Sequence, residues 1–234
     1  LPSDFDVEAV FAEEFTRAIA EESAKSGYRP DQFQLGGRWN DQGEDFWREN
    51  GPQWAANFIH WYERQTDVGV WIAPDGRPAI ELDLTADFGD VPVRGVIDLV
   101  LTFGKVNPAL VVTDIKSGST YPDSARQLAI GAGLIEQNFG IRPRYGAFFM
   151  ARGTGRTTKT YFQPVIEMDG AANSVPYLGG EFAFFDLSAN SGNYPAHPGD
   201  HCRRCPVAHA CVERGGHEAA RYDPNYPTPL RRTK

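Results

Sequence analysis

The sequence predicts an α/β (α+β) layer fold in which helices pack on a mixed β-sheet. Three observations predict it. Apolar residues recur with a helical period across 5–25 and again across 44–65. From 69 to 117 the pattern changes to short runs of β-branched and large apolar residues separated by turn chemistry. A further helical stretch then leads into more strand-like runs. The chain has 234 residues, 41% of them hydrophobic, which is enough for one sizeable core rather than two. The expected organisation is a helical region over 1–66, a core over 67–190 and a cysteine-containing segment with its tail over 191–234.

Each element has a local reason. Phe11, Phe15 and Ile19 line one face of the first helix, which Gly27 ends. The polar, Gly-containing stretch 28–43 reads as a loop. The helix over 44–65 carries Trp54, Phe58, Trp61 and Gln65 at helical spacing, with an expected interruption at Gly51-Pro52, where proline suits a renewed first turn. Strands are predicted at 69–73, 78–85, 91–103 and 109–117 as an antiparallel meander. Asp123 or Ser124 is expected to cap a helix running to Asn138, with Ala125, Leu128, Ala132, Ile135 and Phe139 on one face and Gly140 as its stop. Gly131 and Gly133 each cost a helix interior about 1 kcal/mol relative to alanine, so close backbone packing is expected there. Strands at 144–151 and 160–167 follow, and aromatic-rich 181–187 reads as another.

Bulk properties exclude some functions. A formal net charge of −8 argues against a surface that coats nucleic acid broadly. It leaves room for a local basic groove, and Arg142, Arg144, Arg152, Arg156 and Lys159 concentrate positive charge around one strand and loop. No apolar run approaches the ~20 residues that span a bilayer, so no membrane partner is expected. Leu1-Pro2-Ser3-Asp4 lacks the basic start of a secretory signal. The first residue is not Met, which points to a missing natural N-terminus. The three cysteines, Cys202, Cys205 and Cys211, cluster as metal ligands do rather than as a disulfide framework, so a reducing, cytoplasmic compartment is expected.

The chemistry lies in the central strands. Gly95-Val96-Ile97-Asp98-Leu99-Val100-Leu101 and Ala109-Leu110-Val111-Val112-Thr113-Asp114-Ile115-Lys116 are joined by Gly104-Lys105-Val106-Asn107-Pro108, a hairpin loop. A loop centred on Val106 pairs residues whose numbers sum to about 212, which sets Asp98 opposite Asp114 on one face. Lys116, two residues on, shares that face. Carboxylates so close are costly unless a cation lies between them. Both are hard oxygen donors suited to Mg²⁺ or Mn²⁺, and the backbone carbonyl of Ile115 offers a further oxygen. Lys116 is placed to orient a water and to stabilise charge developing on a phosphate.

Gly95-x-x-Asp98, Asp114-Ile115-Lys116-Ser117-Gly118 and Gln127-Leu128 on the following helix together resemble the PD-(D/E)XK nuclease superfamily. Within it they resemble the RecB-like exonucleases, including CRISPR-associated and phage-encoded iron–sulfur enzymes. The resemblance covers roughly 80–215 and implies a restriction-endonuclease-like core, a mixed central sheet flanked by helices, with a Cys-containing C-terminal appendage. It implies metal ligation by Asp98 and Asp114, a catalytic Lys116 and a positioning role for Gln127. It implies a Mg²⁺- or Mn²⁺-dependent exonuclease acting on DNA, single-stranded or at duplex ends, through a metal-activated water, with recombination or CRISPR-type protein partners. Two departures stand out. The family often places Tyr four residues after the glutamine, where this chain has Gly131. Its upstream Gly-x-x-x-His motif is not matched, since the only upstream histidine, His60, has no glycine at 56. Glu81 resembles a family glutamate that precedes the Asp motif, and its face depends on the course of the chain at 86–90.

Cys202-x-x-Cys205-Pro206 with Cys211 forms a C-x₂-C-x₅-C pattern able to grip one metal centre. The resemblance implies a [4Fe–4S] cluster completed by a distant N-terminal cysteine. A Cys₃His zinc site using His201, His209 or His217 is the alternative. The competing functional class is a catalytically silent DNA-binding or complex-assembly module with a structural cluster.

Overall fold

One long strand organises the sheet. The computed structural model describes residues 5–30, 43–118, 121–153 and 165–193. They form α1 (Val7–Ser26), α2 (Glu44–Glu63), β1 (Val68–Val70), β2 (Ile80–Phe88), β3 (Val91–Phe103) and β4 (Ala109–Lys116). After these come α3 (Arg126–Phe139), β5 (Tyr145–Met150), β6 (Ile166–Glu167) and α4 (Val175–Asn190). The 13-residue β3 carries β2 along its first part and β1 along its last, both antiparallel, while β4 takes its other edge. The meander expectation thus holds for β2–β3–β4. β1 departs from it by pairing with Leu101–Phe103 instead of running beside β2. β4 and β5 are parallel neighbours connected through α3, and β6 is antiparallel to β5, so the sheet is mixed as expected.

The two faces of the sheet are covered differently. Leu128, Ala129, Ala132 and Ile135 of α3 pack against Leu82, Leu84, Ile97, Val100, Val112, Phe148 and Met150. Each fully buried large side chain stabilises by roughly 1.5–3 kcal/mol. On the other face, Phe149 meets Phe58 and Trp61 of α2 at ring-centroid distances of 5.0 and 5.6 Å. Adjacent phenylalanines of one strand therefore anchor helices on opposite sides, as strand alternation requires. Phe88 anchors α4 through Phe182, 5.8 Å away. These contacts all belong to the compact unit Leu1–Ala183; a second unit comprises Phe184–Lys234. Among the described residues no helix is long and apolar enough to cross a membrane.

Three local expectations are corrected. The helix over 44–63 is unbroken at Gly51-Pro52. Proline removes one ladder bond, but the bare Gly51 lets Phe11 of α1 press against the helix. A Cβ at that position would stand 2.0 Å from the Phe11 ring. The cap of α3 falls one residue later than expected, at Ala125, while Ser124 Oγ accepts the Arg126 N–H (3.1 Å) from just outside it. The segment 181–187 is helical, not a strand. Ser174 Oγ receives the Tyr177 N–H (3.4 Å), and Val175 and Leu178 are buried. The Ser174-Val175-Pro176 start was the helix signal there, masked by a run of aromatic residues. The strand expected over 160–167 is seen as β6, and residues 160–164 lie outside the described residues.

Close packing at the α3 glycines is borne out. A Cβ on Gly133 would approach the Phe88 ring to 2.7 Å and Val175 to 3.1 Å. Gly133→Ala should therefore destabilise by about 1–3 kcal/mol from overpacking, outweighing the ~1 kcal/mol helix-propensity gain. Urea unfolding checks this; a raised midpoint would show that the helix is not held that closely.

Candidate active site

β4 alternates Val112, Asp114 and Lys116 on the α3 side with Thr113 and Ile115 on the other. Val112 joins the core, Asp114 follows it at 4% exposed, and Lys116 ends the strand at the rim. The hairpin register is as read from the loop: Leu99 pairs with Thr113, Val100 with Val112 and Leu101 with Val111. Beyond Leu99 a side chain replaces the ladder. The Ile115 N–H donates to Asp98 Oδ2 at 2.8 Å. That bond fixes the half-buried Asp98 carboxylate against the backbone between Asp114 and Lys116.

Lys116 Nζ lies 2.7 Å from Asp114 Oδ2 as an ion pair. Asp114 Oδ2 is buried and has this ammonium as its charged neighbour. The ammonium gives a hydrogen bond to Gln127 Oε1, 2.8 Å away in the first turn of α3. Its charge also stands 5.9 Å from the centre of the Phe148 ring. Tyr121 meets that ring edge-on at 5.4 Å. Burial pushes the Asp114 carboxyl above its ordinary range; Lys116 opposes this, the like charge of Asp98 adds to it, and Gln127 opposes it weakly. A cavity of about 170 Å³ opens beside the acids, lined by Asp98, Asp114 and Gln127 on its polar side and by Ile97, Gly131 and Leu134 on its apolar side. Leu134 also explains Gly95, since a Cβ there would stand 2.8 Å from it.

The donor set suits a hydrated hard cation. Mg²⁺ needs only one or two carboxylates and fills its remaining positions with water or phosphate oxygens. Asp98 and Asp114 present carboxylate oxygens to one cavity, the donor chemistry such an ion takes. Among the described residues no group of three or more His, Cys, Asp or Glu converges on one point, so these two acids act as a pair. His60 is exposed on α2. Cys202, Cys205 and Cys211 lie outside the described residues, as do Arg156 and Lys159.

Among the described residues of the expected basic groove, Arg142 and Arg144 are committed to ion pairs. Arg142 pairs with Glu136, and Arg144 pairs with Asp169 at 2.5 Å. Arg152 is held over Phe46 and Trp54 at 5.7 and 5.4 Å. It follows Ala151, whose N–H donates to the Lys116 carbonyl at 2.9 Å. Sequence reasoning found the charge of Arg152 but not its aromatic bed, because Phe46 and Trp54 are about a hundred residues away along the chain. The only signal was the aromatic density of 46–61.

A mixed sheet with two acids and a lysine where β4 ends defines a nuclease-like core. The superfamily profile of PD-(D/E)XK nucleases matches residues 3–212, and the chain belongs to that superfamily. It is similar to the Gene 69 protein of Mycobacterium phage D29, with 29% identity over 144 residues, 61% of this chain and 51% of that protein. It is also similar to the Gene 69 protein of Mycobacterium phage L5, with 26% identity over 173 residues, 73% of this chain and 55% of that protein. The chain thus spans about half the length of these relatives.

The raised Asp114 carboxyl has a thermodynamic consequence. The folded state holds this proton more tightly than the unfolded state, so the group lowers stability above its folded pKa. Stability is regained as pH falls through that raised value towards the ordinary 3.8. In metal-free buffer at pH 8, Asp114→Asn should melt a few degrees higher than wild type, with about 2–4 °C expected per kcal/mol. The difference should shrink as pH falls to about 4.5, near the reference carboxylate range. A wild type more stable than the variant at pH 8 would contradict the burial argument.

Proposed function

We propose that this chain is a Mg²⁺- or Mn²⁺-dependent DNA exonuclease. The observation that carries the reading is the meeting of Asp98, Asp114, Lys116 and Gln127 at the end of β4. When bound, the cation supplies Lewis-acid polarisation of the phosphate and lowers the pKa of the attacking water. Asp98 and Asp114 hold it, with the Ile115 carbonyl as a further oxygen. Lys116 orients the water and stabilises negative charge on the phosphate, and Gln127 keeps the ammonium aimed by accepting its hydrogen bond. Arg152, close to the Lys116 end of the sheet, is the cation placed to meet a DNA phosphate. The exonuclease assignment within the superfamily rests on the RecB-like motif spacing and the cysteine trio. The silent-module alternative would leave the lysine and both acids with structural contacts alone.

With Mg²⁺ or Mn²⁺, the protein should shorten end-labelled linear DNA and spare covalently closed circles. Asp114→Ala and Lys116→Ala should each lower the rate by on the order of 10²–10³ or more. Full activity in both variants would sink the site assignment, and cleavage of closed circles would turn the reading towards an endonuclease.

The C-x₂-C-x₅-C trio supports a second element of the proposal, a [4Fe–4S] cluster in the C-terminal segment. Anaerobically purified protein should be yellow-brown with a broad visible absorption band that Cys205→Ser bleaches. A colourless protein that contains stoichiometric zinc would replace the cluster with the zinc alternative.

A further inference from the structure

Glu81 sits where β2 breaks its own alternation. Ala79 and Leu82 both belong to the core cluster, and so do Ile97 and Val100 on the neighbouring strand. A regular strand sends residues three apart to opposite faces, so both strands change phase between these pairs. On β2 the change falls at Glu81, whose φ of 48° is left-handed. Among the described residues the other non-glycine with positive φ is Asn107, at 50° in the β3–β4 turn, where asparagine adopts that conformation readily. A glutamate in mid-strand adopts it only under strain.

The ladder is interrupted at the same point. Ile80 pairs with Leu99 and Leu82 with Ile97, which leaves Glu81 across from Asp98 with no pair between them. Irregularities of this kind re-aim side chains, and they concentrate next to active sites. None of the described hydrogen bonds or ion pairs engages Glu81. The register by itself sets Glu81 and Asp98 opposite one another on neighbouring strands. On the other side of Asp98 lies the buried Asp114 carboxylate, with the Lys116 ammonium 2.7 Å from its Oδ2.

Resting on the metal-dependent reading above, we propose that Glu81 is the outer carboxylate of the cation site. Glu81, Asp98 and Asp114 do not converge closely enough to ligate one ion together, so Glu81 belongs outside the inner ligand set. A hard cation held by Asp98 and Asp114 keeps several waters. Glu81 accepts hydrogen bonds from those waters and adds a third negative charge that favours the divalent ion over a monovalent one. Its left-handed backbone holds the carboxylate beside Asp98 instead of letting it follow the regular pleat.

The test is Mn²⁺ titration of the whole 234-residue chain without DNA, read from the electron paramagnetic resonance signal of free Mn²⁺. Wild type should bind, and Asp114→Asn should not. Glu81→Gln should keep its circular dichroism spectrum and bind at least about tenfold more weakly, the lower end for loss of an outer partner. Glu81→Gly should weaken binding similarly while raising the urea midpoint, since glycine relieves the backbone. Wild-type affinity in either Glu81 variant overturns the outer-carboxylate role and leaves the metal site standing. A wild type that binds no Mn²⁺ overturns both.

Discussion

The rest of the site is arranged around the Asp114 carboxylate, which is buried in the last turns of the sheet with an ammonium 2.7 Å away. A carboxylate in an apolar setting costs several kcal/mol unless charge and hydrogen bonds compensate it. Here the compensation is incomplete: Lys116 supplies charge, but burial still holds the carboxyl above its ordinary range. Strand β4 places the acid among core residues because Val112 precedes it on the same face. The helix that covers β4 also carries Gln127, so core packing and the geometry of the proposed site share the element α3. A protein that keeps such a residue in its core accepts lower stability for function.

Register is what makes this arrangement reproducible. A slip of one residue between β3 and β4 would send Asp114 and Lys116 to the α2 face and bring Thr113 and Ile115 to the α3 side. The turn at 104–108 and the apolar pairs Val100–Val112 and Leu101–Val111 prevent it. The Ile115 N–H to Asp98 bond then takes over where the ladder ends. Phe148 and Phe149, packed against α3 and α2 on opposite faces, fix the parallel strand β5 beside it. Gly95 lets Leu134 of α3 close over the strand three residues before Asp98.

Much of this was legible in the sequence because it rests on local chemistry. The strand limits, the 104–108 hairpin and the Asp98, Asp114 and Lys116 face follow from period-two patterning and turn residues. α1 was legible from Phe11, Phe15, Ile19 and its glycine stop. What failed involved contacts distant in the chain. The continuity of α2 through Pro52 depends on Phe11 seating against Gly51. The helical state of 181–187 depends on Val175, Leu178 and Phe182 meeting the core. At both, local propensity misleads, since aromatic runs favour strand and Gly-Pro favours a break, although Ser174-Val175-Pro176 marks the start of α4. The left-handed Glu81 and the ladder gap at Asp98 were equally hidden, because a phase change between two strands appears only once they are paired.

The most direct measurement is a Mn²⁺-soaked crystal of the protein with an anomalous-difference map. The account predicts one dominant peak between Asp98 and Asp114, about 2.2 Å from a carboxylate oxygen of each, with Gln127 still holding Lys116. A strong peak elsewhere, or density in which Lys116 alone neutralises Asp114 at saturating Mn²⁺, would contradict it.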